Sequence, residues 1–445
     1  MKIKPELILP AGDPEKARFA FEYGADAVYL GMAKYSMRKT EVRFTISEIK
    51  STIQYAHKLG KRVYITFNIF AHDKHLKTLA SDIKKIAALN PDAFVIADMG
   101  VLKLVKDNAP KIPIHVSTQQ NTVNAEAVKL WKDFGVKRVI LARELSLKEI
   151  KKIHDAVPDI ELEMFVHGAM CISYSGRCLL SAYITGREAN LGDCAQPCRW
   201  NYKVYLEEKL RPGEYFPVEE NGDGTYLMNS KDLALIEHLD EIQKSGISGL
   251  KIEGRNKSIY YLGVVTRAYR TALDAVESGK YDAKLKKELM KELVTLNYRG
   301  YTTGFAFGNA KKGETYPSRQ PVRNYNFIAV VRPIPKRHSA LSPHHSDLPS
   351  RHSDEGRISR SFVPQDDKNS DPDDNWNYIE VRNQIKVGDN MDVITPNKVY
   401  KERVLGILDE SGKELEVINP GKTGQMAYLK LKNLYPEMSL MRKKI

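Results

Sequence analysis

The four cysteines of this 445-residue chain, Cys171, Cys178, Cys194 and Cys198, fall within one segment of 28 residues and nowhere else. A thiolate is a strong soft-metal ligand and only a modest packing residue, so four gathered in one Gly- and Ser-rich loop point to a tetrathiolate site. The first pair is separated by six residues and the last by three, with fifteen between the pairs. Structural zinc sites favour tighter knuckles of two to four intervening residues. An iron–sulfur cluster is larger than one ion and accommodates looser spacings, so the spacing favours iron–sulfur while leaving zinc open.

Other polar residues recur just after short apolar runs. They are Asp13, Asn68, Asp98, His115 with Ser117 and Gln119, Arg143 with Glu144, His167, and Lys251 with Glu253 and Arg255. Singly, each suits a structural hydrogen bond; collectively they would surround one mouth with acids, bases and cations. Arg143, Arg177, Lys251 and Arg255 are candidates to bind a phosphate or dicarboxylate, Arg177 as a bidentate fork. Asn68, Asp98 and Gln119 are candidate substrate contacts. His115, His167 and Glu253 are candidate catalytic groups, the histidines because imidazole titrates near neutrality.

The elements that must position these residues are legible as alternation. Apolar runs at 7–9, 27–30, 63–67, 93–96, 114–116, 139–141, 162–166 and 250–252 are separated by amphipathic helical patterns at 14–23, 46–59, 76–89, 125–134 and 147–156. Thr45 and Ser146 can cap helix N-termini, Pro14 suits a first turn, and Gly24, Gly60 and Gly135 follow last turns. Eight such runs predict an α/β fold, a TIM-like (β/α)8 barrel over residues 1–300, with the Cys-rich insertion (loop 167–200) after strand seven. An open doubly wound sheet is the competing layout, but no GxGxxG follows the first run. A helix at 259–278 closes the barrel and another at 284–296 follows.

Residues 301–334 and 376–445 hold short β-type runs between Gly-Asp, Asn-Pro-Asn and Asn-Pro-Gly turns, predicting a small antiparallel β domain. Between them, residues 335–375 are crowded with Ser, Pro, His and Asp without hydrophobic periodicity, which predicts a disordered insertion. Its histidines, His338, His344, His345 and His352, fit a solvated low-complexity tract better than a metal site.

Hydrophobic content of 42% and charged content of 28% suit a globular protein. No apolar run approaches a membrane span, and the opening MKIKPELILPAGD lacks the apolar stretch of a signal peptide. Both predict the cytoplasm, where thiols favour metal over disulfides. The net charge of +13 fits a polyanionic partner such as a nucleic acid. The basic C-terminal stretch LKLKNLYPEMSLMRKKI would contact the backbone of such a partner. No HExxH pair exists for a metalloprotease, while a cysteine protease would require a thiol activated by a base such as His167, four residues before Cys171.

The segments ELILPAGDPEKARFAFEYGADAVYLG, YSMR, TFNIF, HVSTQQN, MFVHGAMCISYSGRCLLS, GDCAQPCRWNY and LKIEGRNKS resemble the collagenase-like, "unassigned" peptidase family. The likeness runs from the N-terminus through the barrel, the small β domain matches the longer members, and the 335–375 insertion departs from the pattern. The resemblance implies hydroxylation without molecular oxygen, of the tRNA wobble uridine to 5-hydroxyuridine, of an rRNA cytidine, or of a quinone precursor. It implies a [4Fe–4S] cluster on Cys171, Cys178, Cys194 and Cys198, and prephenate as co-substrate for the RNA reactions. CAQPC supplying the last two ligands matches the tRNA-type pattern, making tRNA the first-choice partner. A collagenase-like peptidase and an RNA-binding protein with a structural cluster are the alternatives. A homo-oligomer, or a hetero-oligomer with a related family member, is compatible with the chain.

Overall fold

The computed structural model describes residues 4–32, 34–35, 44–171, 173–200, 202, 204–207, 209–218, 229–308, 321–335, 375–421 and 424–445. It divides into two units, Met1–Val322 and Arg323–Ile445.

In the first unit strands and helices alternate: β1 (Glu6–Pro10), α1 (Pro14–Glu22), β2 (Ala27–Leu30), α2 (Ile46–Lys58), β3 (Arg62–Phe67), α3 (Asp73–Ala87) and β4 (Ala93–Ile96). Then come α4 (Met99–Asn108), β5 (Ile114–Val116), α5 (Ala125–Asp133), β6 (Arg138–Ile140), α6 (Leu147–Ala156) and β7 (Glu161–Ala169). The insertion holds α7 (Leu180–Thr185), the hairpin β8 (Val204–Glu207) and β9 (Tyr215–Val218), and β10 (Asp232–Ala234). After α8 (Leu239–Lys244), β11 (Gly249–Ile252) pairs in parallel with both β1 and β7, closing eight parallel strands into a barrel. All eight apolar runs are its strands, buried inside and out as parallel strands flanked by helices must be.

The helices begin where the sequence signals them. Thr45 and Ser146 each form a reciprocal capping box, with Glu48 and Glu149. Asp13 and Asp98, expected at the mouth, use their carboxylates to cap α1 and α4, accepting from Lys16 N at 2.9 Å and Val101 N at 3.0 Å. The helix expected at 76–89 starts three residues earlier and stops two earlier, and α4 adds an element between β4 and β5.

The insertion does more than interrupt the barrel. β10 extends the sheet antiparallel to β7, with Asp232 opposite Ala169, and β12 (Tyr301–Thr302) adds beside β10. The chain reaches β12 through α9 (Ile259–Glu277) and α10 (Ala283–Leu293). Residues 301 and 302, expected with the C-terminal domain, thus belong to the barrel unit. Tyr301 stacks on Tyr298 at 4.5 Å and packs against His167, and Arg299 bonds Asp232 at 2.5 Å. These side chains and pairings carry the boundary to residue 322.

The second unit is antiparallel β. β13 (Tyr325–Val331), β14 (Trp376–Val381), β16 (Asn390–Ile394), β17 (Val399–Arg403), β18 (Gly406–Leu408), β20 (Gln425–Lys430) and β21 (Leu440–Lys444) form one sheet in the order β17-β16-β21-β13-β14-β20-β18. A small ladder of β15 (Ile385–Lys386) and β19 (Val417–Ile418) accompanies it. The two form a core around Ile379, Val393, Leu429 and Met441. The expected disordered insertion, 335–375, lies outside the described residues apart from its two ends.

Candidate active site

Beneath the barrel mouth lies a layer of buried charge. Glu6, Arg138 and Glu163 project inward from β1, β6 and β7, each no more than 5% exposed. Arg138 bonds Glu6 at 2.6 Å and Glu163 at 3.2 Å, and Tyr64 donates its hydroxyl to Glu6 at 2.7 Å. Burying each ion costs several kcal/mol, offset only when partners are close and the remaining hydrogen-bond sites filled. The second oxygen of Glu163 accepts from Lys251 Nζ at 2.6 Å, so the layer holds up one cation beneath the cavity. Burial pushes the Lys251 pKa down, and Glu163 pulls it back up.

Above this layer opens a cavity of about 160 Å³ at the C-terminal ends of the strands, the catalytic end of a barrel. Its cations are held on aromatic faces. Lys251 Nζ lies 4.2 Å from the centroid of the Tyr29 ring, with the Arg255 guanidinium 4.9 Å from the same centroid, and Arg143 lies 4.2 Å from that of Phe165. Arg255 also donates to Thr66 Oγ1 at 2.9 Å. Arg143 donates to the Ala169 carbonyl at 2.7 Å, while its buried Nε has no protein partner among the described residues. Such a donor leaves a hydrogen bond for a ligand.

All four cysteines line this cavity. Two bonds tie their loop to the end of β5: Gln119 Nε2 donates to Ser175 Oγ at 2.8 Å, and Asn121 Nδ2 to the Ser175 carbonyl at 3.4 Å. Gly176 is required there, since a Cβ would sit 2.0 Å from Gln119 Oε1 and φ is +72°. The buried Ser181 hydroxyl on α7 accepts from Ala195 N at 2.9 Å, anchoring CAQPC. Cys171 is exposed and the other three thiols half-buried; burial pushes the Cys198 thiol up, against the pull of Arg199, and the other three thiols add to it. Among the described residues no three His, Cys, Asp or Glu gather closely enough to hold a single ion. The thiols ring a cavity instead. The donor set, four sulfurs and no competing imidazole, fits an iron–sulfur cluster.

Of the other candidates, Asn68, Gln119, Arg143, Lys251, Glu253 and Arg255 line the same cavity. Glu253 is steered by Gly168, where φ is +112° and a Cβ would fall 2.6 Å from the Glu253 carbonyl oxygen. Four candidates are not brought to the wall. Asp98 is the helix cap described above. Arg177 is exposed, stacked on Phe70 at 4.9 Å. His115 is sealed edge-on against Tyr64, and burial, with Arg138 next, drives its pKa well down. His167 is 1% exposed among Tyr261, Tyr269 and Tyr301, its pKa lowered by burial to about 3. Both imidazoles are therefore neutral at physiological pH, and neither reaches the cavity. Sequence reasoning missed Tyr29, Phe165, Glu6, Arg138 and Glu163. A signal existed: charges at alternate positions inside otherwise apolar strand runs, as in ELEMF, mark inward-facing ions.

Comparison with known proteins agrees with this architecture. The model of peptidase family U32 matches residues 12–316, and that of the peptidase family U32 C-terminal domain matches residues 365–442. The chain belongs to the peptidase U32 family. It is 43% identical over 339 residues to tRNA hydroxylation protein P of Escherichia coli (strain K12), covering 68% of this chain and 74% of that protein. It is 34% identical over 443 residues to tRNA hydroxylation protein P1 of Bacillus subtilis (strain 168), covering 99% and 95%. The 23S rRNA 5-hydroxycytidine C2501 synthase of Escherichia coli (strain K12) is 34% identical over 315 residues, covering 69% of this chain and 46% of that one. Among the described residues no helix is long and apolar enough to cross a membrane.

Proposed function

We propose that this U32 member is an RNA-modifying hydroxylase that forms 5-hydroxyuridine at the tRNA wobble position without molecular oxygen. In this reading Cys171, Cys178, Cys194 and Cys198 hold a [4Fe–4S] cluster, and prephenate is the co-substrate. The observation that carries it is the convergence of four thiols and three aromatic-backed cations on one cavity. The names of the relatives, two tRNA hydroxylation proteins and an rRNA hydroxycytidine synthase, support the reaction class.

A bound cluster would supply redox or Lewis-acid chemistry that no side chain offers. The chain's own residues bind, orient and take a proton. Arg143 Nε, Lys251 and Arg255 provide charge-assisted bonds for a carboxylate co-substrate, in a cavity whose apolar wall of Tyr29, Val95, Ile140 and Phe165 strengthens them. Asn68 and Gln119 offer amides to the edge of the base. Replacing C5–H by C5–OH is a two-electron oxidation; in this reading the co-substrate gives up the hydroxyl oxygen and is reduced by the two electrons, and we assign the proton that leaves C5 to the Glu253 carboxylate. An anticodon base reaches such a cavity by unstacking, which costs less in a loop than in a duplex. A cysteine-protease mechanism lacks its base, because His167 is buried among tyrosines away from the cavity that the thiols line, and burial makes its imidazole too weakly basic to take a thiol proton.

The test is a deletion strain. Loss of 5-hydroxyuridine from its tRNA, restored by the wild-type gene and not by Cys→Ala variants, is the expected result. Unchanged tRNA with altered quinones or rRNA would transfer the chemistry to another substrate. Restoration by Cys→Ala variants would make the cluster structural. Iron and acid-labile sulfide in protein purified under argon test the cofactor independently.

A further inference from the structure

The second unit carries a basic sheet face. On β17 and β16, Lys401 pairs with Asp392 and Arg403 with Asn390. On β16, β21 and β13, Asp392 pairs with Arg442, and Lys444 with Tyr325. Residues opposite one another, and those two apart along a strand, share a face, so these side chains form two adjacent cross-strand rows. Apart from Arg442, they line a groove of about 620 Å³, completed by Met391, Glu402, Leu405 and Lys432.

The charge of this groove is unbalanced. Lys401, Arg403, Lys432 and Lys444 are exposed. Of the two carboxylates lining it, Asp392 is already bonded by the buried Arg442 at 2.9 Å and by Lys401 at 2.6 Å. Glu402 is engaged by Tyr435 at 2.5 Å and Asn433 at 2.7 Å. Tyr435 and Asn433 are neutral, so Glu402 keeps its charge, and the lining sets Lys401, Arg403, Lys432 and Lys444 against Asp392 and Glu402, an excess of two positive charges. At the end of the groove the Tyr325 ring is held in place, with Arg442 5.1 Å from its centroid. A sheet face combining an aromatic ring with flanking cations is the composition by which sheets bind unpaired nucleotides, phosphates on the cations and a base on the ring.

We propose that this face of the C-terminal unit binds the backbone of unpaired RNA through Lys401, Arg403, Lys432 and Lys444, with a base stacked at Tyr325. The tRNA loop is the natural occupant, and to that extent the inference rests on the function proposed above. Counterion release makes it quantitative. Removing three contacts to the phosphates of an unpaired strand lowers the salt slope of log K by about 2, so between 50 and 200 mM salt the wild type should lose roughly 20-fold more affinity than the variant.

The experiment uses the full chain and tRNA from the deletion strain, comparing wild type with the K401A/R403A/K444A variant. Thermal unfolding checks that the variant is folded, and K401R/K444R, which keeps the charge, should bind as wild type. Y325L should weaken binding of a uridine 12-mer about fivefold or more at unchanged salt slope. Coincident salt slopes for wild type and the triple variant overturn the proposal, and so does displacement of tRNA by polyglutamate at equal charge concentration. If the wild-type gene fails to restore 5-hydroxyuridine, the proposed function falls while the binding comparison still decides this face. If it restores the modification and the slopes coincide, only this face falls.

Discussion

His167 is the sharpest place to separate a core residue from a catalytic one. It lies near the C-terminal end of a barrel strand and precedes the first cysteine by four residues, so its position alone argues for proton transfer. Its surroundings argue otherwise. The ring is 1% exposed between three tyrosines, and its pKa falls from 6.5 to about 3. Burial is the first cause, with the positive charge of Lys257 adding to it and Glu253 opposing. Because the folded pKa lies below the unfolded one, the unfolded chain binds the proton more tightly. The contribution of His167 to stability is therefore complete above pH 6.5 and is lost as pH falls from 6.5 toward 3. At about 1.4 kcal/mol per pH unit, wild type should lose about 2 kcal/mol through this residue between pH 6.5 and pH 5. His167→Gln removes the titration while keeping a polar group of similar length. Urea unfolding of both proteins at pH 5.0, 5.8 and 6.5, followed through the transition of the barrel unit, measures the difference. Other titrating groups, His115 included, cancel in the comparison. The variant should be flatter by about 2 kcal/mol over that interval and should still restore 5-hydroxyuridine in the deletion strain. Parallel pH curves would refute the buried neutral imidazole, and loss of the modification in a stable variant would return His167 to the chemistry.

Three further outcomes follow from the site. Each single Cys→Ala variant should lose most bound iron and sulfide under argon while retaining the unfolding transition of the barrel; wild-type iron content in Cys171→Ala would remove that residue from the ligand set. Lys251→Met leaves Glu163 with Arg138 as its one charged partner and should cost on the order of 3 kcal/mol in urea unfolding, with loss of the modification. Lys251→Met combined with Glu163→Gln should recover part of that stability and none of the activity. Gly168→Ala forces a side chain into a backbone conformation costing about 1–3 kcal/mol and against the Glu253 carbonyl, so modification in complemented cells should drop more than Tm alone explains.

The barrel was legible because its determinants are local and repeated. Doubly buried strands read as continuous apolar runs, and Thr45 and Ser146 announce their helices in four-residue capping boxes. What escaped depends on contacts distant in sequence. β10 is three residues long and exists because Asp232 meets Ala169 across an insertion, which no periodicity encodes. The histidines misled for the same reason: their neighbours Tyr64, Tyr261, Tyr269 and Tyr301 come from other strands and one helix, and only the closed fold shows them sealed. Asp98 was drawn into the candidate set by its place after a strand, where a helix cap is also required. The cysteines and the cations were found because their types are rarely spent on packing.

The buried charge layer explains why a barrel would tolerate ions in its core at all. Burial alone pushes the pKa of an ammonium in the Lys251 position down. Glu163 opposes that shift at 2.6 Å, but Glu163 is itself 0% exposed and needs a second partner, which Arg138 supplies. Arg138 in turn is balanced by Glu6, whose other contacts are Tyr64 and Arg62 at the barrel's far end. The series Glu6–Arg138–Glu163–Lys251 thus runs from the solvent-facing Arg62 to the cavity floor, and each member requires the next. Replacing such a series with apolar residues of equal volume commonly preserves or raises stability, so packing does not account for it. A charge held at the floor of the cavity that the four thiols line, beside Arg255, does.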